Sequence, residues 1–220
     1  EMCIRDSDRI PGEFYVRVGM MNPRHAHRIL PSLLKAYESD KIFKFLHLPI
    51  QSGSIRILDA MCRGHGVREF LDVVRAFKER FPKITLSTDL IVGFPGESEE
   101  DFEDSVRIVK EVRPDVVNVS KFSPRPGTRA ASLDRLPLSV VRERSVKMHR
   151  IVKEVMLERN REWVGWRGRV LVDEVVKGGV VARNFAYKPI FIREPLPLGS
   201  TPIVEIRSAT SACLVGVKLS

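Results

Sequence analysis

Cysteine is scarce in this sequence: three in 220 residues. Cys3, Cys62 and Cys213 stand far apart and in no metal-ligand spacing. They indicate neither a disulfide framework nor a zinc site, and a reducing cytoplasm fits them. Long apolar runs are also missing. No stretch approaches the roughly 18 residues that a membrane span needs, and the start shows no basic-then-apolar signal pattern, so no membrane partner is expected. Acid is the minority charge, with 28 Asp and Glu against 37 Lys and Arg, a formal +9. Polyanions are the expected partners of such a surplus, because Lys and Arg gain affinity for phosphate by counterion release. A soluble basic surface that meets no nucleic acid would carry the same charge, and composition alone leaves both readings open.

What is present suffices for real cores: 43% of the residues are hydrophobic, enough for one large domain or a medium and a small one. Glu1 to Ser7, EMCIRDS, differ in texture from the rest. They resemble a translated sequencing-adapter scar at the end of a metagenomic fragment, so they are set aside from the fold reading, Cys3 with them. The chain is accordingly expected to be part of a longer reading frame.

From Phe14 to Lys121 short apolar strands alternate with amphipathic helices, which predicts βα units and a parallel sheet. Strands are expected at Phe14 to Val18, Phe43 to His47, Thr85 to Val92 and Val116 to Phe122. Helices are expected at Ala26 to Glu38, Ile55 to Met61, Val67 to Phe81 and Glu99 to Val112. In the third helix Phe70, Val73, Val74 and Phe77 recur at the spacing of one buried face. The fourth opens on Ser98 as cap with Asp101 three positions on and Glu97, Glu99 and Glu100 beside the helix dipole. Four such units cannot close an eight-stranded barrel, so an open partial barrel is expected. After the Pro- and Gly-rich SPRPGT, a long helix from Ser139 to Arg161 carries seven Lys or Arg against three Glu. From Trp163 onward five short strands separated by turn signals imply a small closed barrel of the OB type, since closure removes exposed edges. Small basic barrels of this kind commonly hold RNA.

Strand ends are where α/β sheets build ligand sites. Phe45 to Arg63 (FLHLPIQSGSIRILDAMCR) and Ser87 to Glu97 (STDLIVGFPGE) each break from an apolar strand into a polar loop. Those loops carry Gln51, Arg63 and Asp89, with Gly93 and Gly96 leaving bare backbone nearby. Taken singly, Arg63 reads equally as a surface cation, Asp89 as a strand-end polar residue and GFPGE as a tight turn. HLPIQSGS, LDAMCRGH, STDLIVGFPGES and SPRPGTRA, in that order on successive strand ends, form a far more specific set. From Val16 to Lys218 the chain resembles the radical-SAM methylthiotransferase family, whose members place a methylthio group on tRNA or on a ribosomal protein. RVGMMNPR, KFLHLPIQSGS, VNVSKFSPRPGT and ARNFAYKP are most similar to the archaeal and eukaryotic branch, which acts on threonylcarbamoyladenosine just 3′ of the anticodon.

The resemblance implies an α/β fold, the C-terminal part of a radical-SAM partial (β/α) barrel (8–138), a basic linker helix (139–162) and a small all-β OB-like TRAM barrel that binds RNA (163–220). It implies S-adenosylmethionine (SAM) as cofactor, held by Gln51, Ser52, Arg63 on the carboxylate, Asp89 on the ribose hydroxyls, Gly93, and Ile91, Phe94 and Phe122 around adenine. Arg125, Thr128 and Arg129 are candidates for substrate or RNA contact, as are Arg142, Lys147, Arg150, Arg167, Arg183 and Lys188. A rigid turn locked by Pro124 and Pro126 explains the SPRPGT loop as well. Two 4Fe-4S clusters, tRNA, a ferredoxin or flavodoxin electron donor and a monomer in the cytoplasm complete the expectation. The family's CxxxCxxC triplet belongs upstream of Asp8 and is not in this sequence, so the chain by itself is expected to be inactive. Gly66 stands where relatives have Thr, and Cys62 where they have a polar residue. Two other functions compete: a non-catalytic RNA-binding protein with a degenerate SAM fold, and methylthiolation of a ribosomal protein.

Overall fold

The computed structural model describes Asp6 and residues 10–219. The adapter-like segment therefore lies, Asp6 apart, outside the described residues. The first half is a three-stranded parallel sheet of β1 (Phe45–His47), β2 (Thr85–Val92) and β3 (Val116–Lys121), ordered β1-β2-β3. Two helices, α1 (Pro23–Arg28) and α2 (Leu30–Ala36), precede it. The crossover from β1 to β2 holds α3 (Ile55–Ala60) and α4 (Val67–Arg80), and that from β2 to β3 holds α5 (Glu99–Val112).

Two expectations need correction here. The strand anticipated at Phe14 to Val18 is reduced to a single parallel bridge between Val16 and Ile42. The helix anticipated from Ala26 to Glu38 is two helices, broken at Ile29 with φ −110° and ψ 16°. Pro31 lacks the N–H that a continuous ladder needs there and sits instead in the first turn of α2, where that donor would be unpaired anyway.

Burial follows periodicity. Phe70, Val73, Val74 and Phe77 of α4 meet Leu46, Leu86, Leu90 and Val92 of the sheet and Phe102, Val106 and Val109 of α5 in one core. The long helix α6 (Leu138–Arg161) also belongs to it, through Met148, Ile151, Val152 and Val155. No helix among the described residues is long and apolar enough to cross a membrane.

The second half is a sheet of six strands: β4 (Arg167–Arg169), β5 (Leu171–Val176), β6 (Gly179–Arg183), β7 (Pro189–Ile192), β8 (Ile203–Ala209) and β9 (Leu214–Lys218). Their order is β4-β8-β9-β7-β6-β5, with every pair antiparallel except β7 and β9. Five of these strands were expected. Arg-Gly-Arg of β4 has no apolar alternation and gives no strand signal. Because β4 and β5 are successive stretches of one run of chain, the two ends of the sheet meet: the Val170 and Val172 N–H groups donate to Pro202 O (3.0 Å) and Ser200 O (2.9 Å). Trp163, Val172, Ile190, Ile192, Val204, Ile206 and Leu214 fill its interior.

Lys188 joins the halves. Its ammonium is 2% exposed, 2.8 Å from Asp115 Oδ1, and donates to Asn160 Oδ1 at 2.7 Å. Burial lowers its pKa, and the adjacent Asp115 opposes that shift. Arg159 reaches the same carboxylate at 3.4 Å, and Asp115 Oδ2 accepts from Leu86 N–H at 2.9 Å. Lys188 was expected to touch RNA, and this burial corrects that expectation: a desolvated cation is kept only with a charged partner, and Asp115 supplies it.

Candidate functional site

A cavity of about 870 Å³ opens at the C-terminal ends of β1, β2 and β3. Gln51 reaches it because the chain past β1 keeps pairing with β2. The Gln51 N–H donates to Asp89 O at 2.8 Å and its carbonyl accepts from Ile91 N–H at 2.9 Å. Its φ of +73° then turns the chain sharply away. The following SGS is pinned to α5: Gly53 N–H donates to Ser105 Oγ at 2.8 Å, and Ser52 Oγ lies 3.4 Å from the same atom. A Cβ on Gly53 would come within 2.4 Å of Asp104 O, so only glycine permits this approach. Ser54 caps α3 through Ile57 N–H and donates to Asp101 Oδ1 at 2.6 Å. The end of α3 then lays Met61, Cys62 and Arg63 along the cavity wall.

Asp89 lies on the facing wall, held on both oxygens. His47 Nε2 is 2.9 Å from Oδ2, and Asn118 Nδ2 donates to Oδ1 at 2.7 Å. Asn118 is its cross-strand partner in β3, while His47 sits opposite Ser87. Ile91, Phe94 and Phe122 make the apolar part of the wall, with the two phenylalanine rings edge to face at 5.1 Å. Lys121, Arg125, Thr128 and Arg129 come from β3 and the loop after it.

The loop after β2 is braced from below. Gly93, at φ +77°, donates its N–H to Glu97 Oε2 at 2.9 Å, and a Cβ there would meet Val141 at 2.7 Å. Arg144 Nη1 donates to Glu97 Oε2 (2.8 Å) and Glu97 O (2.9 Å), and Nη2 donates to Glu99 Oε2 at 3.1 Å. Burial raises the pKa of Glu97, against the opposing pull of the Gly93 N–H and Arg144. Asp101 ties this loop to the Gln51 loop. Burial would raise its pKa, but hydrogen bonds from Arg56, Ser54 and Ser98 outweigh that and hold it well below the usual carboxylate range.

The structure thus brings Gln51, Arg63, Asp89, Ile91, Phe94, Phe122, Arg125, Thr128 and Arg129 around one cavity. Ser52 and Gly93 are corrections. Both are turned into the scaffold, Ser52 fully buried against Ser105 and Gly93 against Val141, so neither lines the space. Arg142, Lys147 and Arg150 border a separate shallow groove of about 550 Å³ on α6, where Lys147 pairs with Glu99 and Glu103. Arg167 and Arg183 lie on the second sheet, paired with Glu205 and Asp173. His47, Asn118, Lys121 and Arg144 are the residues that sequence reasoning missed. A polar residue interrupting the apolar alternation of β3 was the one signal for Asn118. Among the described residues no group of three or more His, Cys, Asp or Glu is placed to hold a metal ion. They offer no ligand set for an iron–sulfur cluster.

A partial parallel barrel with its site at the strand ends is the architecture of a known class. Residues 9–109 match the Radical SAM superfamily. Coproporphyrinogen III oxidase of Escherichia coli, described as a radical SAM enzyme, superposes with a TM-score of 0.52 at 14% identity, over 95% of this chain and 52% of that one. The sequence narrows this further. A probable threonylcarbamoyladenosine tRNA methylthiotransferase of Pyrococcus abyssi is 47% identical over 215 residues, 96% of this chain and 50% of the relative. A tRNA-2-methylthio-N(6)-dimethylallyladenosine synthase of Pelotomaculum thermopropionicum is 35% identical over 215 residues, 96% of this chain and 48% of that protein. Over 96% of its length the chain is similar to radical-SAM methylthiotransferases. It spans about half the length of the curated relatives it matches.

Proposed function

We propose that this chain is the SAM-binding and RNA-contacting part of a tRNA methylthiotransferase. The whole enzyme would convert N6-threonylcarbamoyladenosine beside the anticodon to its 2-methylthio derivative. The observation that carries this reading is the convergence of Gln51, Arg63 and Asp89 on one cavity with an apolar wall.

SAM fits the groups on that wall. The Arg63 guanidinium matches the methionyl carboxylate, Asp89 has lone pairs left for two ribose hydroxyls, and Ile91, Phe94 and Phe122 form an apolar slot for adenine. His47 and Asn118 hold the Asp89 carboxylate in one orientation, so the site is set before the ligand arrives. One SAM, when bound and reduced by one electron, would supply the radical that abstracts hydrogen, and a second SAM would supply the methyl group. A 4Fe-4S cluster finds no ligands among the described residues.

Residues 8–138 form the partial barrel in this reading, 139–162 the basic helix and 163–220 an OB-like TRAM barrel. The strand order, the parallel β7–β9 pair and the meeting of β4 and β5 support the last assignment. Arg142, Arg150, Arg167 and Arg183 are its tRNA contacts, at the surface of a chain carrying +9. A ferredoxin or flavodoxin reductant, a monomeric state and a cytoplasmic location belong to the same reading. The test is a nucleoside mass measurement on tRNA from a host with and without the intact gene. The gene's loss is expected to remove the 2-methylthio nucleoside and leave its threonylcarbamoyl precursor. An unchanged nucleoside profile contradicts the reading.

A further inference from the structure

The cavity carries more positive charge than one SAM molecule can use. Arg63, Lys121, Arg125 and Arg129 all line it, and Asp89 is its one acid. Asp89 is already bonded to His47 and Asn118. Among the described residues none of the four cations makes an ion pair, unlike Arg144, Arg167 and Arg183, which all find carboxylates. The pKa of Arg63 is lowered, first by burial and then by the neighbouring charge of Arg125. SAM has one carboxylate, one ammonium and one sulfonium, a net positive charge. It satisfies one guanidinium and leaves the excess in place.

Space points the same way. About 870 Å³ lies near the top of the range of roughly 300–1,000 Å³ for small-molecule sites, which leaves room for a second nucleoside beside the first. The surplus cations stand on a prepared loop. Thr128 donates both its hydroxyl (2.8 Å) and its N–H (3.2 Å) to Arg125 O, closing the turn around Gly127 at φ +79°. Pro124 and Pro126 flank Arg125 and fix its backbone further.

We infer that Arg125, with Arg129 beside it, pairs with the carboxylate of a threonylcarbamoyl side chain on the substrate adenine and so selects which modified adenosine enters. This rests on the reading under Proposed function. The dimethylallyl group in the name of the more distant relative carries no charge and gives a guanidinium nothing to hold, whereas a carboxylate offers the planar, bidentate partner it suits.

The experiment uses this chain saturated with S-adenosylhomocysteine and three 17-nucleotide anticodon stem-loop RNAs. They differ at one adenosine, which bears the threonylcarbamoyl acid, its methyl ester or a dimethylallyl group. Their phosphates are identical, so any difference between acid and ester belongs to the carboxylate. The wild type is expected to bind the acid roughly tenfold more tightly than the ester. Arg125→Gln is expected to bring the ratio of acid to ester affinity close to one, with its thermal midpoint checking the fold. Equal affinity of the wild type for acid and ester overturns the inference. So does a uniform loss across all three RNAs in Arg125→Gln, which assigns the loop to phosphate. S-adenosylhomocysteine bound, but acid and ester alike, leaves the methylthiotransferase reading standing without the inference. No binding of S-adenosylhomocysteine or of any RNA sinks both.

Discussion

The carboxylate of Asp89 is positioned before any ligand binds, because each oxygen already has a partner on a neighbouring strand: His47 at 2.9 Å and Asn118 at 2.7 Å. Removing the imidazole frees one oxygen to rotate without touching the cavity's apolar wall. His47→Ala is therefore expected to weaken S-adenosylhomocysteine binding about three- to tenfold, within the scale of one hydrogen bond to a charged group. Calorimetric titration checks this, and an unchanged affinity would show that Asp89 needs no support. Gln51 and Arg63 are legible in the sequence because each is a polar side chain placed just past an apolar strand or a short helix, and Asp89 because it is the acid that interrupts the apolar run of β2. His47 and Asn118 are not, because their meeting with Asp89 depends on the register of β1 and β3 against β2. Lys188 reads as surface for a related reason. A basic side chain defaults to solvent, and the acid that buries it lies far away in sequence.

At the scale of elements, the two loops that carry the site are held by buried charge. Ser54, Ser98 and Arg56 converge on Asp101, and Arg144 of α6 meets Glu97. Arg144→Met leaves Glu97 buried without its counter-charge, and a loss of about 3–5 kcal/mol at neutral pH is expected. The pH dependence has a definite sign. Burial already raises the pKa of Glu97, and without Arg144 the rise grows. Such a group gives full stability below its unfolded value, near 4.3, and loses it as pH rises through the folded value. The deficit of Arg144→Met relative to wild type should thus be smaller at pH 5 than at pH 8 in urea unfolding. Equal deficits would mean that Arg144 does not shift the Glu97 pKa. The capping of α5 by Ser98 was plain from Ser-Glu-Glu-Asp, and the apolar stripe of α6 from Val141, Met148, Val152 and Val155. Arg144 was hidden, one arginine among seven basic residues in that helix, since composition does not say which cation faces inward.

The whole molecule has two cores and a polar joint. Trp163 and the β strands make one core, and the parallel sheet with its helices makes the other. Between them Lys188, Asp115, Arg159 and Asn160 share a few ångströms of buried space, and the Lys44 N–H donates to Phe185 O at 2.8 Å. Lys188→Met leaves the buried Asp115 carboxylate with Arg159 as its remaining counter-charge, with an expected cost of about 1–3 kcal/mol. Differential scanning calorimetry should show the wild type melting as one unit and the variant in two steps, with the half holding β4 to β9 outlasting the other. A single unshifted transition would deny the joint its role. The change of texture near Trp163 made the two halves readable, since periodicity turns from helical to alternating there. The joint was unreadable, as its members lie in four separate stretches of chain and show no pattern until the fold brings them together.

The central claim is that Gln51, Arg63 and Asp89 surround a single nucleoside-bearing ligand. Isothermal titration of this chain with S-adenosylhomocysteine tests it most directly. One molecule should bind per chain, and Asp89→Asn should weaken binding roughly ten- to a hundredfold while the thermal midpoint stays put. Absence of binding, or binding that Asp89→Asn leaves untouched, would contradict the account.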